Sequence, residues 1–179
     1  MGSIVISGST SGTVTVSAPA EAGTRTITLP AATGTVMVNG PAFSATRTAA
    51  QTFANSTFTK LQVNTETFDT NSNYDPTTNY RFTPTVEGYY QINGNISFDG
   101  DDAGFAQIGI YKNGGVHNYG SGIINNTSIG GQVFVASVIF LNGSTDYVEL
   151  YGWQNSGGNL GLLTSAGRNT FSGCMVRSA

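Results

Sequence analysis

Apolar and polar residues alternate along most of this chain with a period of two, the repeat of a strand whose successive side chains point to opposite faces. In "GYYQINGNISF" (88–98), Tyr90, Ile92, Ile96 and Phe98 share one face, and Gln91, Asn93, Asn95 and Ser97 share the other. "FAQIGIYKNG" (105–114) repeats the pattern through Ala106, Ile108 and Ile110. In "DYVELYGW" (146–153), Val148 and Leu150 take one face, and Tyr147, Tyr151 and Trp153 take the other. "QVFVASVIFL" (132–141) is apolar on both faces, as a strand in the middle of a sandwich or at an interface would be. "NTFSGCMVRS" (169–178) predicts a last strand, and no window carries a helical period. Residues 41–179 therefore predict an all-β head of about ten strands, an antiparallel two-sheet sandwich or jelly roll.

The first forty residues follow a different pattern. They contain no aromatic residue, whereas aromatics are frequent from Phe43 onward, and Pro41 stands at the seam. Gly-Thr recurs at Gly12, Gly23 and Gly34, opening "GTVTVSAPAEA", "GTRTITLPAAT" and "GTVMVNG". Val14 and Val16, Ile27, and Val36 and Val38 fall at matching offsets, with Leu29 continuing the alternation. Such short strands bury too few aliphatic side chains to offset the ordering entropy of their backbones. Residues 1–40 are thus expected to form a β stem whose core is completed by neighbouring chains, with those six residues at the interface. A flexible linker is the plainer alternative.

Composition narrows the function. The 179 residues suit one domain plus an appendage, and only 9% are charged, the polarity being carried by uncharged side chains and 24 glycines. Seven Lys and Arg against ten Asp and Glu give a net charge of −3, with no basic stripe to meet nucleic-acid phosphates. No apolar run is long enough to span a bilayer, so no membrane insertion is expected. "MGSIVISGST" lacks the charge and apolar pattern of a signal peptide. Cys174 is alone, so no intrachain disulfide forms, and it reads as a small buried hydrophobe on the last strand.

Catalysis finds little support. His117 is the only histidine and no Gly-x-Ser-x-Gly elbow occurs, so no enzyme is expected. One His and one Cys cannot close a zinc site, and no cofactor is expected. "DGDDAG" (99–104) gathers Asp99, Asp101 and Asp102, a weak calcium candidate that lacks the EF-hand spacing and reads first as a solvated turn.

Two resemblances sharpen this reading. "PAFSATRT" (41–48), "NSNYDPTTNYRFTPTVEGYYQINGNISF" (71–98), "IGIYKNG" (108–114) and "FSGCMV" (171–176) resemble, in order, the strands of the complement globular-head family, whose fold is shared with tumour necrosis factor. That resemblance implies a homotrimer of jelly rolls about a threefold axis. The collagen stem of the animal proteins is missing. In its place "SGSTSGTVTVSAPAEAGTRTITLPAATGTVM" resembles a leader that precedes tail-fibre and other appendage domains of tailed bacteriophages.

Counting strands from an entry at Pro41, with the last strand finishing at the same end as in the resembled family, puts the turn at 142–145 and "DGDD" beside the stem. The connections 113–131 and 154–169 then fall at the distal tip. They carry His117, Asn118, Tyr119, Asn125, Asn126, Trp153, Gln154, Asn155 and Asn159, amide and aromatic groups suited to sugar hydroxyls and sugar faces. Tyr147 and Tyr151 are assigned first to a subunit interface and second to a ligand platform. The reading is a trimeric phage tail fibre that docks to other virion proteins through residues 1–40 and binds a host-surface glycan or protein. It would be assembled in the bacterial cytoplasm. Alternatives are a capsid decoration or head fibre, and a secreted lectin-like head.

Overall fold

The computed structural model describes residues 3–7, 10–17, 23–24, 40–100, 104–125 and 131–179. Its strands, in chain order, are β1 (Ser3–Ser7), β2 (Thr13–Ser17), β3 (Ala42–Thr46), β4 (Thr59–Lys60), β5 (Thr65–Asp69), β6 (Tyr74–Asp75) and β7 (Arg81–Phe82). They continue with β8 (Glu87–Asp99), β9 (Gly104–Lys112), β10 (Gly115–Asn125), β11 (Gln132–Asn142), β12 (Val148–Gln154), β13 (Gly161–Leu162) and β14 (Thr170–Ser178). No helix occurs among the described residues. The chain divides into two compact units, Met1–Gly34 and Thr35–Ala179.

In the first unit β1 and β2 form an antiparallel hairpin, with Ile4 opposite Val16 and Ile6 opposite Val14. All four side chains are exposed, so the hairpin closes no core of its own. Ile27, Leu29, Val36 and Val38 lie outside the described residues.

The second unit is a sandwich of two six-stranded antiparallel sheets. One runs β10-β9-β12-β7-β6 with β4 also on β12; the other runs β11-β8-β14-β3-β5 with β13 also on β8. Four strands have only two residues, which accounts for twelve in place of about ten. The alternation read from the sequence closes the core: Tyr90, Ile92, Ile96 and Phe98 of β8 are buried with Ile108, Ile110, Val148 and Leu150 from the facing sheet.

The "NYDPTTNYRF" stretch has a packing reason. The Phe43 ring stacks on Phe82 at 4.3 Å and on Tyr74 at 5.0 Å, and meets Phe171 edge-on at 5.0 Å. The buried Tyr74 hydroxyl donates to the Val63 carbonyl at 2.7 Å, and burial pushes its phenol pKa up. Asp75 then turns the chain. Its carboxylate accepts the amides of Thr77, Thr78 and Asn79 within 3.0 Å, and these bonds hold it well below the usual carboxylate range.

Chain direction corrects the expected ends of the sandwich. Asn113 and Gly114 have φ of 54° and 79°, the two left-handed residues of a tight hairpin turn, so β9 reverses at once into β10. Asn113 donates to Asp146 at 2.7 Å and accepts the Tyr147 amide at 2.9 Å, which stitches this turn to the one at 142–146. The second turn is held by the Asn142 side-chain oxygen, which accepts the amides of Ser144, Thr145 and Asp146. Asn142 pairs with Glu87 and Gly88 with Ser178, so both turns share the end where the chain enters beside Pro41. Residues 113–119 are therefore not a distal loop. Conversely β8 runs away from the entry end, so Asp99 lies at the far end and not at the base.

Two further expectations change. Cys174 is exposed, because Phe171, Gly173 and Met175 take the inward positions of β14. Strand β11 is not a middle strand but stands at the end of its sheet, with one apolar face uncovered.

Candidate functional site

Two outward faces of the head carry side chains that folding leaves without a core. The first belongs to the β11-β8-β14-β3-β5 sheet. Register brings Phe140 beside Tyr89, Val138 beside Gln91, Ala136 beside Asn93 and Phe134 beside Asn95. The next strand adds Cys174, Ser172 and Thr170 in the same rows. Phe134 and Val138 are 53% and 54% exposed, and Tyr89, Phe140 and Val176 also face outward. The Tyr89 and Phe140 rings touch at 5.5 Å. Apolar side chains at one edge thus pass into small polar ones: Asn95 accepts both the amide and the hydroxyl of Thr170. A shallow depression of about 540 Å³ lies between them, lined by Asn93, Asn95, Phe134, Ala136 and Thr170. A contiguous uncovered apolar surface marks an interaction face.

The second face belongs to the β10-β9-β12-β7-β6 sheet and is aromatic. Phe105 and Tyr111 of β9, Tyr151 and Trp153 of β12 and Tyr119 of β10 lie on the side opposite the buried aliphatics. Phe58, from the loop before β4, packs among them. Centroids are 6.0 Å apart for Phe105 and Trp153, 6.2 Å for Trp153 and Phe58, and 5.5 Å for Phe58 and Tyr119. Phe58 also meets Tyr111 at 6.0 Å, and Tyr111 stacks on Tyr151 at 4.0 Å. Gly109 sits beneath, where a Cβ would come within 3.2 Å of the Tyr119 ring. At the entry end the Arg81 guanidinium covers the Tyr147 ring at 4.2 Å.

One ion pair lies on this face, Lys60 reaching Glu149 at 2.5 Å, while the Asp75 carboxylate is taken up by the Thr77, Thr78 and Asn79 amides. Burial pushes the Tyr111 phenol up to about 12, with the Tyr119 and Tyr151 phenols adding to the shift. Burial and then the Glu149 charge raise Tyr151.

The sequence-derived site residues separate accordingly. Tyr119, Trp153 and Tyr151 come together in the aromatic row, with Tyr147 at its end. His117 is exposed on β10, and Asn118, half-buried, donates to the Ala136 carbonyl at 3.4 Å. Asn155 accepts the Phe105 amide at 2.6 Å, and Asn159 is exposed. Gln154 is a correction: it is fully buried and closes the loop after β12 from inside. Its amide donates to the carbonyls of Phe53 and Gly158 at 3.0 and 2.8 Å, and its oxygen accepts the Ser156 amide at 2.7 Å. The backbone of Asn125 ends β10, while Asn126, Asp101 and Asp102 lie outside the described residues. Asp99 is exposed, and no cluster of three metal-ligating side chains occurs among the described residues.

Phe105, Tyr111 and Phe58 were not singled out by the sequence. The first two were legible, since they occupy odd positions of a strand whose even positions are buried. Phe58, in a loop, carries no such signal.

The sandwich superimposes on the globular domain of zebrafish complement 1qA with a TM-score of 0.56 and 16% identity, over 79% of this chain and 100% of that one. The fold is that of the complement globular head. Tumour-necrosis-factor domains share it: murine APRIL gives a TM-score of 0.59 at 9% identity over 77% of this chain and 100% of its own. Eiger TNF from S. frugiperda gives 0.54 at 11%, over 78% and 93%. No protein-family model matches the chain and no curated protein matches it. This complement-head jelly roll is the fold that the sequence resemblance implies, and its identities are low enough to establish fold alone.

Proposed function

We propose that this protein is a homotrimeric attachment fibre of a tailed bacteriophage, with a β stem in residues 1–40 and a head that binds the host surface. The observation that carries the trimer is the uncovered apolar edge of the β11-β8-β14-β3-β5 sheet, where Phe134, Val138, Phe140 and Tyr89 stand in water in a single chain. Covering two exposed phenyl rings, a tyrosine and a valine with a second copy stabilises by roughly 25 cal/mol for each Å² of apolar surface removed. The homotrimer implied by the complement-head resemblance supplies that cover. The Gly-Thr leader supports the phage setting, with the stem docked to other virion proteins. The head works by adhesion without catalysing a reaction, and repeated weak contacts on one rigid particle gain strength through effective concentration.

Light scattering on the full chain tests the assembly: a mass three times 18.6 kDa is expected, and monomers at micromolar concentration would overturn it. Antibody labelling of virions under the electron microscope tests the placement. Label on tail appendages is the expected result, and label on the capsid shell would make this a head decoration instead.

A further inference from the structure

The aromatic row lies on the opposite sheet from the proposed trimer face and so needs its own explanation. It is not the core, because Tyr119 is 44% exposed and Phe58, Phe105, Tyr111, Tyr151 and Trp153 are all half-buried. Ordering so many large rings at a surface leaves their apolar area in water unless a ligand covers it. The row follows β12 from Trp153 to Tyr147, roughly 20 Å at the rise of an antiparallel strand. Phenol hydroxyls of Tyr111, Tyr119 and Tyr151 are interleaved with the rings, so the surface alternates apolar and hydrogen-bonding ground over a few ångströms.

Charge completes the description of the occupant. Lys60 is matched by Glu149, and the Arg81 guanidinium at the entry end lies over the Tyr147 ring, so the rings between them carry balanced charge. A flat strip of rings, hydroxyls and balanced charge matches an extended molecule with C–H faces, many hydroxyls and no charge. We propose that this row is the binding site of an uncharged oligosaccharide, lying along β12 and β9 on the flank of the head. This rests on the reading of the head as an attachment domain. It names the receptor class and moves the contact from the tip of the sandwich to its side.

Trp153 is the only tryptophan of the chain, so its fluorescence reports the row directly. The full-length protein is titrated with uncharged hexasaccharides of gluco, manno and galacto configuration. A saturable change in emission with at least one of them is expected. Phe58→Ala and Tyr119→Ala should weaken it roughly three- to tenfold, whereas Tyr119→Phe, which keeps the ring, should weaken it less. Bacterial cells form the second arm: attachment of the labelled protein should be lost after periodate treatment and kept after proteinase treatment.

No emission change with any of the sugars overturns the glycan assignment, whatever the cells do. So does attachment that survives periodate but not proteinase, which would mark a protein receptor. If Phe58→Ala or Tyr119→Ala yields folded monomers, the row is a contact between copies and the assignment falls. Sugar binding without attachment to any cell overturns the attachment role alone and leaves the site standing.

Discussion

Gly120 of β10 lies so close to β11 that a Cβ at its position would overlap the Phe134 carbonyl oxygen and come within 2.6 Å of Val135 Cβ. The obstacle is main chain, which cannot rotate away as a side-chain tip can. Gly120→Ala should therefore push β10 from β11 and destabilise the head by about 1–3 kcal/mol or more. Gly158→Ala is the control, since nothing lies within 4 Å of its Cβ position, and it should change stability by less than about 0.5 kcal/mol. Chemical denaturation of both variants checks the contrast. Equal stabilities would refute the close-approach reading.

Gln154→Leu should fail by a different route. The Phe53 carbonyl keeps the Leu160 amide, but the Ser156 amide loses its partner inside the loop, and leaving such a group unpaired costs about 1–3 kcal/mol. Attachment per folded molecule should be unchanged, because the side chain never reaches the surface. Reduced attachment at full folding would return Gln154 to the receptor site.

Val138→Asp tests the apolar edge. In a single chain Val138 is more than half exposed, so the substitution should leave the fold and its far-ultraviolet circular dichroism intact. In an assembly it buries a carboxylate among Phe134, Phe140 and their counterparts, at a cost of several kcal/mol. Sedimentation should show the mass falling to 18.6 kDa. A variant that keeps the mass of the unaltered protein would place the interface elsewhere.

Acid should weaken the head through Asp75. Backbone hydrogen bonds lower its folded pKa below the unfolded value of about 3.9, so the folded state favours the carboxylate. That stabilisation is complete above about pH 5 and is lost as pH falls through and below 4, where the unfolded chain takes up the proton first. Asp146, lowered by hydrogen bonds from Lys112 and Asn113, adds a loss of the same sign. Asp75→Asn should lower the melting temperature at pH 7 and flatten its fall between pH 5 and pH 3. A parallel fall in variant and unaltered protein would exclude Asp75 as a source of the acid sensitivity.

Legibility in the sequence followed the range of the interaction. The inward faces of β8, β9 and β12 could be read because alternation is local, and a strand's own pleat sets which residues share a face. The ends of the sandwich were misassigned through one dipeptide. Asn113-Gly114 flanked by alternating strands signals a two-residue hairpin. Taken as part of a long polar connection, it hid β10 and inverted the position of Asp99. Gln154 looked like a surface amide because its partners, Phe53 and Gly158, come from a distant segment and from a turn that closes over it.

Period-two alternation and the lack of helical spacing were sufficient for an all-β sandwich, since each depends on residues within one strand or one turn, and the complement-head pattern entered through resemblance. Which uncovered face would be aliphatic and which aromatic depended on pairing between strands far apart in the chain. The pleat of β11 puts Phe134, Val138 and Phe140 on one face, but only its pairing with β8 brings Tyr89 beside them. Only the pairing of β9, β10 and β12 gathers Tyr119, Tyr151 and Trp153 around Phe58. The side-chain period fixes which face each residue takes, but which strands become neighbours is decided by hydrogen bonding between segments far apart in the chain.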